Sequence, residues 1–319
     1  MGRRVAVVGV VGRTNAGKST LVNALVGEKV SIVSPVEQTT RNTIRGIVSD
    51  ERGQLVLMDT PGLHKAVGEL GRLLNRMARR SSAGTDITCV VFDASDEPRM
   101  EDVGWMRRIA RERPRKVVFV LNKADRAPFY ETMFRDAWND SLKESEAECD
   151  GTDDPPPSPV WVKCIASTPG GATAVGAALF SLADEGENLF DEDIVTDYPR
   201  KLAIADVIRE KYLAKMHQEV PHEMGILVKS IDERKGRGGD KGRDVWQIDV
   251  DILVNRASQK PIVIGKGAAT IKYVRKCAER EVGDMFGVKA EMRLWVRVEP
   301  KWMENRRMLA DMGYLGDLV

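Results

Sequence analysis

Residues 12–20 read GRTNAGKST and directly follow the apolar run VAVVGVV at 5–11. This stretch fits the pattern G-x-x-x-x-G-K-[ST], in which a glycine-rich loop joins a β-strand to a helix. The backbone N–H groups of such a loop and the helix N-terminus present positive potential to a phosphate. The stretch therefore predicts a P-loop nucleotide-binding fold. The alternative is a glycine-rich turn that only joins the strand to the helix.

Within this loop, we expect Lys18 to bridge the β- and γ-phosphates of a nucleotide and the Ser19 hydroxyl to coordinate Mg²⁺. The predicted nucleotide contacts from the loop are Gly12, Asn15, Ala16, Gly17, Lys18, Ser19 and Thr20.

Further short segments rich in β-branched residues occur at 54–58, 87–92, 117–121 and 160–165, with helix-like stretches between most of them. This alternation predicts an α/β domain with a doubly wound, mostly parallel sheet that is covered by helices on both faces. The run at 44–49 would add an edge strand.

After residue 200 the pattern changes to a helix, two strands, a glycine-lysine loop, a second helix and a strand, which predicts a smaller α+β domain. We place the nucleotide-binding domain at 1–183, a linker at 184–199 and the second domain, with a C-terminal helix, at 200–319. The acidic, proline-rich stretch at 143–159 reads as a solvated insert in the first domain.

Two tetrads follow predicted strands, DTPG at 59–62 and NKAD at 122–125. We expect Asp59 to reach Mg²⁺ and the N–H of Gly62 to reach the γ-phosphate. A carboxylate at Asp125 accepts from both N1–H and the 2-amino group of guanine, whereas adenine offers neither donor. Together with Asn122 and Lys123, it predicts a guanine nucleotide; an ATPase would require Asp125 to be irrelevant.

The stretch QTTR at 38–41 lies between the first helix and the next strand, where a segment that senses the γ-phosphate belongs. Thr40 is the predicted second Mg²⁺ hydroxyl, with Thr39 the nearest alternative. A polar loop that makes no ligand contact is the alternative interpretation of this stretch. The residues predicted to stabilise the transferred phosphoryl group are Lys18, Thr40, Asp59 and Gly62.

Composition and charge describe the whole chain. With 319 residues, 42% of them hydrophobic and 30% charged, it has the balance of a folded globular protein and the length of two domains. No membrane-length apolar run or signal peptide is visible, and the four scattered cysteines predict reduced thiols in an intracellular protein. Residues 200–319 carry 24 Lys and Arg against 18 Asp and Glu, whereas 1–199 carry 25 against 30. The asymmetry suggests that the second domain faces a polyanion.

The segments GRTNAGKSTLVNAL, SIVSPVEQTTR, DTPGLH and NKAD resemble the Era branch of the translation-factor class of small GTPases. The resemblance continues through IREKYLAKMHQEVPHEMGI, IVIGKGAATIK, LWVRVEPKW and LADMGYL, and covers nearly the whole chain apart from the acidic insert. It implies a GTP-binding domain followed by a type II KH domain. Such proteins hydrolyse GTP, bind small-subunit ribosomal RNA near its 3′ end and assist assembly of that subunit.

The resemblance implies GTP or GDP and Mg²⁺ as ligands, and small-subunit rRNA and the pre-small ribosomal subunit as partners of a chain that is monomeric off the ribosome. Asn15 matches the asparagine with which potassium-stimulated relatives hold K⁺, so K⁺ is expected to speed turnover. Leu63 stands where Ras-like enzymes carry a water-orienting Gln, so intrinsic hydrolysis should be slow. The alternative function is an RNA-binding scaffold that holds a guanine nucleotide with little or no turnover.

One further nucleotide contact is expected from the loop after the last strand of the first domain. Era-like chains usually have a Ser-Ala pair there, whereas this chain reads CIAS at 164–167. We expect the backbone N–H of Ala166 to contact the guanine O6.

The second domain has the element order of a KH domain, whose G-x-x-G loop clamps a single-stranded nucleic-acid backbone. The predicted RNA contacts are Ile264, Gly265, Lys266, Gly267, Ala268 and Lys272. Ala268 replaces the final glycine, and a plain strand-to-helix turn is the alternative. The isoleucines at 262, 264 and 271 would either line a base-reading groove or pack in the core.

Two other basic segments have more than one interpretation. The glycine-rich stretch at 232–244 would contact rRNA phosphates or be merely solvated. The helix at 71–80 would touch a membrane surface or, as we favour, pack on the sheet. The three histidines are too far apart in sequence to suggest a metal site. The acidic insert tilts the expected location toward a mitochondrial matrix or another organelle rather than a bacterial cytoplasm.

Overall fold

The computed structural model describes residues 2–31, 44–59, 84–148, 155–216, 223–236 and 243–312. Tertiary contacts group the chain into two compact units, and the main division falls between Asp197 and Tyr198. Each unit has its own sheet and its own hydrophobic core.

The first unit is built on a central, mostly parallel sheet. Its strands are β1 Arg4–Val11, β2 Ile44–Asp50, β3 Gly53–Asp59, β4 Ile87–Asp93, β5 Val117–Asn122, β6 Val160–Lys163 and β7 Asp184–Glu185. The order is β2-β3-β1-β4-β5-β6, with β2 antiparallel to β3, β7 antiparallel to the start of β1, and the other pairs parallel. Its described helices are α1 Lys18–Val26, α2 Met100–Glu112, α3 Glu131–Glu148 and α4 Pro169–Leu182. This is the predicted α/β architecture.

Strand β4 shows why the sheet carries helices on both faces. All seven of its residues are buried, and successive side chains point to opposite faces. Cys89 and Val91 join the core cluster that contains residues of α1 and α4, whereas Val90 and Phe92 join the cluster that contains residues of α2 and α3. A strand that is buried on both sides has no polar alternation, which is typical of a central parallel strand.

The predicted linker at 184–199 is mostly part of the first unit. Strand β7 pairs with β1, and the Gln54 side chain accepts hydrogen bonds from the backbone N–H groups of Leu189 and Phe190 at 2.8 and 2.9 Å. The Val195 carbonyl accepts from a backbone N–H of β2 at 2.9 Å. The acidic composition suggested a link between the domains, but the backbone of this segment is bonded to β1, β2 and β3 of the first unit.

The second unit has a three-stranded sheet and four helices in its described part. The elements are α5 Arg200–Lys215, β8 Gly225–Arg234, β9 Val245–Val254, α6 Gln259–Ile264, α7 Ala269–Phe286, β10 Lys289–Val298 and α8 Arg306–Asp311. Strand β9 is central, antiparallel to β8 and parallel to β10. From α5 to β10 the order is α-β-β-α-α-β, as expected for a type II KH domain. Helix α6 was not predicted, because its six residues are too few for a helical period.

Three cysteines lie in described segments, and none of them is in a disulfide. Burial raises the pKa of Cys89 to about 12 and that of Cys164 to about 11, so both remain protonated thiols in the core. Among the residues that the structure describes, no helix has the length and apolarity needed to cross a bilayer. The same residues contain no group of His, Cys, Asp and Glu side chains suited to holding a metal ion.

Candidate nucleotide site and nucleic-acid loop

The loop 12–17 turns the chain sharply from β1 into α1. Gly17 caps the helix with a left-handed backbone, at φ 101°. A Cβ atom added there would lie 2.2 Å from the Nδ2 atom of Asn122, so a side chain is excluded by both conformation and contact. The glycine of the G-K pair therefore lets the loop approach the strand end that carries Asn122.

Lys18 begins α1 and its side chain folds back over the loop. Its Nζ donates to the carbonyl oxygens of Gly12 and Arg13, at 3.2 and 2.8 Å. Burial lowers the pKa of Lys18 to about 8, and the nearby Asp59 carboxylate opposes part of this shift. A buried ammonium group that rests on carbonyl oxygens is well placed to exchange them for the oxygens of a bound phosphate.

Asp59 lies at the end of β3 and is fully buried. Its Oδ2 accepts a hydrogen bond from the hydroxyl of Ser31 at 2.9 Å. Ser31 was not among the predicted site residues, because a serine in the segment after α1 has no local pattern that distinguishes it from a loop residue. The contact fixes the orientation of the carboxylate that was predicted to reach Mg²⁺.

Thr40 and Gly62, the other two residues predicted to act in catalysis, lie outside the described residues, as does Leu63. Their roles remain predictions from the sequence.

Asn122 connects three segments at the ends of parallel strands. Its Nδ2 donates to the Ala16 carbonyl at 2.8 Å, and its Oδ1 accepts from the Ala166 N–H at 2.9 Å. The expected contact from Ala166 to a guanine base is therefore wrong in this structure, because that N–H is already used. The next residue in the loop, Ser167, is exposed.

Around the predicted base site, the side chain of Asp125 is exposed, as a residue that meets a ligand should be. Lys123 has a left-handed backbone at φ 64°, and its Nζ contacts Oδ2 of Asp93 at 2.5 Å. The lysine of N-K-A-D is thus anchored on the end of β4.

A buried ionic network lies beside the loop and was missed in the sequence. The Nη2 of Arg13 is 3.3 Å from the same Oδ2 of Asp93 that holds Lys123, and its Nε is 3.1 Å from Oδ2 of Asp102 on α2. Burial alone would raise the pKa of Asp93, but hydrogen bonds from Lys123 and Ser95 hold it below its usual range. For Asp102, burial raises the pKa to about 6 although Arg13 opposes the shift. One carboxylate therefore links the phosphate loop to the base loop.

In the second unit, the tetrad 265–268 separates α6 from α7. Gly265, Gly267 and Ala268 all have positive φ, at 78°, 59° and 61°. Lys266 and Lys272 are exposed, whereas Ile264 is half-buried and packs against the core. The loop therefore presents two lysines to solvent.

Of the three isoleucines near this loop, Ile271 also packs against the core of the second unit. Ile262, which is 50% exposed, offers the largest apolar surface of the three to a base.

Ala268→Gly is expected to stabilise the second unit by about 0.5–1 kcal/mol, because an alanine in the left-handed region is strained and a glycine is not. The neighbouring substitution Gly267→Ala is the matched opposite: a Cβ there would meet nothing within 4 Å, so only the backbone penalty should appear. Urea unfolding followed by tryptophan fluorescence measures both. Equal stabilities of the two variants would contradict the strain argument.

Comparison with known families supports the division into two units. The family described as 50S ribosome-binding GTPase matches residues 7–123, and the KH domain family matches residues 230–303. Each match falls within one of the two predicted domains.

Two solved structures resemble the whole chain, each with a TM-score of 0.81 and 29% identity over 98% of this chain and 99% of the other. One is Era in complex with MgGDPNP and nucleotides 1506–1542 of 16S ribosomal RNA. The other is a point variant of Aquifex aeolicus Era bound to GDP.AlF4⁻.

Among curated relatives, GTPase Era of Caldanaerobacter subterraneus subsp. tengcongensis is 32% identical over 317 residues, which cover 99% of this chain and 100% of that protein. The P-loop, the buried Asp59, the N-K-A-D loop and the KH unit all fall within this shared length. The chain therefore belongs to the GTPase Era family.

Proposed function

We propose that this chain is a GTPase that hydrolyses GTP to GDP and phosphate, binds small-subunit rRNA near its 3′ end and assists assembly of the small ribosomal subunit. The observation that carries the proposal is the match of both units, in order, to a solved relative that holds MgGDPNP and 16S rRNA together.

At the phosphates, we assign Lys18 to the β- and γ-phosphate oxygens and the Ser19 hydroxyl and Asp59 to Mg²⁺. These oxygen ligands suit that ion, and the hydrogen bond from Ser31 restrains the Asp59 carboxylate. Bound Mg²⁺ would neutralise charge that develops on the phosphates. Thr40 and the N–H of Gly62 complete the proposed set.

At the base, Asp125 would accept from the N1–H and 2-amino groups of guanine. The N–H of the exposed Ser167 replaces that of Ala166 as the proposed donor to O6. Asn122 would hold the loops that carry these groups, because its Nδ2 and Oδ1 bond to Ala16 and Ala166. The second N–H of its carboxamide would contact the base.

The expected switch involves segments 38–43 and 59–64, which GTP would order around Mg²⁺ and the γ-phosphate and hydrolysis would release. The change would then control how RNA reaches the second unit.

Multiple-turnover phosphate release tests the enzymatic part. We expect slow but measurable turnover that is faster in K⁺ than in Na⁺, because Asn15, with its left-handed backbone at φ 61°, is the residue proposed to hold K⁺ beside the phosphates. Added small ribosomal subunits should increase the rate. Equal rates in the two salts would contradict the assignment of a K⁺ site to Asn15. If the chain showed no turnover in K⁺ with subunits present, the rival function would be correct: an RNA-binding scaffold that holds a guanine nucleotide. Leu63, which cannot orient the attacking water, is the residue that favours this alternative.

For RNA, Lys266→Ala/Lys272→Ala is expected to weaken binding of a single strand copied from the 3′ end of small-subunit rRNA. Loss of two phosphate contacts should reduce the slope of log K against log salt by about 1.4. The matched control is Arg306→Ala/Arg307→Ala, which removes two exposed cations from α8. An unchanged slope in the first variant, or an equal change in the control, would show that the RNA phosphates are bound by residues other than Lys266 and Lys272.

An intracellular, ribosome-associated location follows from the family. The finer choice of an organelle over a bacterial cytoplasm rests on the acidic insert alone, and the bacterial relative named above lends it no support.

A further inference from the structure

Helix α7 has one continuous exposed face, which we call the α7 stripe: Lys272, Tyr273, Lys276 and Arg280. These residues share a face because three or four positions separate neighbours on a helix surface. The opposite face, with Val274, Ala278 and Val282, is buried in the core of the second unit.

The α7 stripe carries three cations on its exposed face. Within the described residues, neither Lys272, Lys276 nor Arg280 takes part in an ion pair, whereas Arg293 on the sheet is paired with Asp249 at 2.8 Å. The spacing from Lys272 to Lys276 and from there to Arg280 is i to i+4, at which like charges destabilise a helix. A repulsive face of this kind would be relieved by a polyanion.

Tyr273 adds an aromatic surface to these charges. It is 49% exposed, although tyrosine usually buries most of its ring. The Nζ of Lys215, on α5, lies 5.1 Å from the ring centroid and brings a fourth cation to the same surface. Aromatic rings beside cations are the combination that binds single-stranded nucleic acid without reading its sequence.

The α7 stripe continues from the loop that was predicted to clamp RNA. Lys272 is only four residues beyond Ala268, and the helix carries the charges about 12 Å farther, to Arg280. A G-x-x-G loop holds about four nucleotides, so an RNA strand leaving that loop along α7 would meet these cations next.

We propose that the α7 stripe, with Lys215, is a second RNA-binding surface that holds phosphates outside the loop's four nucleotides, irrespective of base sequence. The inference rests on the proposed RNA binding and extends it: the loop selects a short strand, and the helix face lengthens the contact. Its contribution should depend on the length of the RNA and on salt.

The test compares a 6-nucleotide and a 16-nucleotide single strand that share one core, copied from the 3′ end of small-subunit rRNA. In the full chain, Lys276→Gln/Arg280→Gln is expected to weaken binding of the longer RNA about five- to tenfold and to lower its salt slope by about 1.4. Binding of the shorter RNA should change less than about twofold. Arg306→Gln/Arg307→Gln is the matched control and should leave both affinities within about twofold, as no part of the stripe is altered.

The outcomes separate the two ideas. If the unmodified chain bound neither RNA, the proposed function itself would be wrong. The inference would be overturned if the unmodified chain bound both RNAs equally well. It would also be overturned if the stripe variant bound the longer RNA more tightly than the shorter one by the same factor as the unmodified chain. Loss of affinity for phosphatidylglycerol vesicles with unchanged RNA binding would instead make the stripe a lipid contact, which also overturns it.

Discussion

Asp125→Asn is expected to weaken GDP binding by about a hundredfold or more and to give the chain affinity for xanthosine diphosphate. The exposed carboxylate of Asp125 is proposed to accept two hydrogen bonds from guanine. A carboxamide offers one acceptor and one donor, so it leaves one guanine donor facing another. Xanthine has a carbonyl oxygen at that position and would restore both hydrogen bonds.

Fluorescence titration with labelled GDP and labelled xanthosine diphosphate measures this exchange. Asp136→Asn is the control, because Asp136 is an exposed carboxylate on α3, away from the loop ends that form the site. Unchanged selectivity in the Asp125 variant would show that another group reads the base, and the assignment of guanine would lose its main support.

Asn122→Ala is expected to lower the free energy of unfolding of the nucleotide-free first unit by about 2–4 kcal/mol. Asn122 is 3% exposed, so the Ala16 carbonyl and the Ala166 N–H would both lose their partner in a buried place. Nucleotide affinity should fall as well, since the phosphate loop and the 164–167 loop would no longer be held to the end of β5.

Thermal unfolding with and without GDP gives both effects. Asn139→Ala makes the same chemical change on the exposed surface of α3, where alanine is the better helix former, and should leave stability within about 0.5 kcal/mol. If the Asn122 variant unfolded at the same temperature as that control, the two hydrogen bonds would be energetically unimportant.

The two-domain fold, the P-loop and the family were predictable because they depend on local spacing. G-x-x-x-x-G-K-S encodes a strand, a turn and a helix within a few residues, and the match of both units to the same relative confirms that prediction. The glycine and lysine positions also explain the observed geometry of Gly17 and Lys18.

The parts that were wrong or missed depend on contacts between distant positions. Arg13 occupies a variable position of the P-loop motif and Asp102, far away in sequence, belongs to no motif, so nothing local indicated their ion pair. The Ala166 N–H was assigned to the base from the resemblance at 164–167, and its partner, Asn122, could not be foreseen because it comes from another strand end. The acidic segment after α4 was expected to be a linker because the groups that hold it, such as the Gln54 side chain on β3, are far away in the chain.

Asp93 receives both Arg13 and Lys123 on one oxygen, so the two halves of the nucleotide site are preorganised relative to each other before any ligand arrives. A ligand that enters such a site loses little of its binding energy to the ordering of these two loops. The diphosphate and the triphosphate share the base, the ribose and two phosphates, and would profit equally from this rigidity. Discrimination between them would then depend on the γ-phosphate contacts alone. The contacts to the base would determine how much of the protein is bound to a nucleotide, and the γ-phosphate contacts would determine whether the protein responds to it as GTP or as GDP.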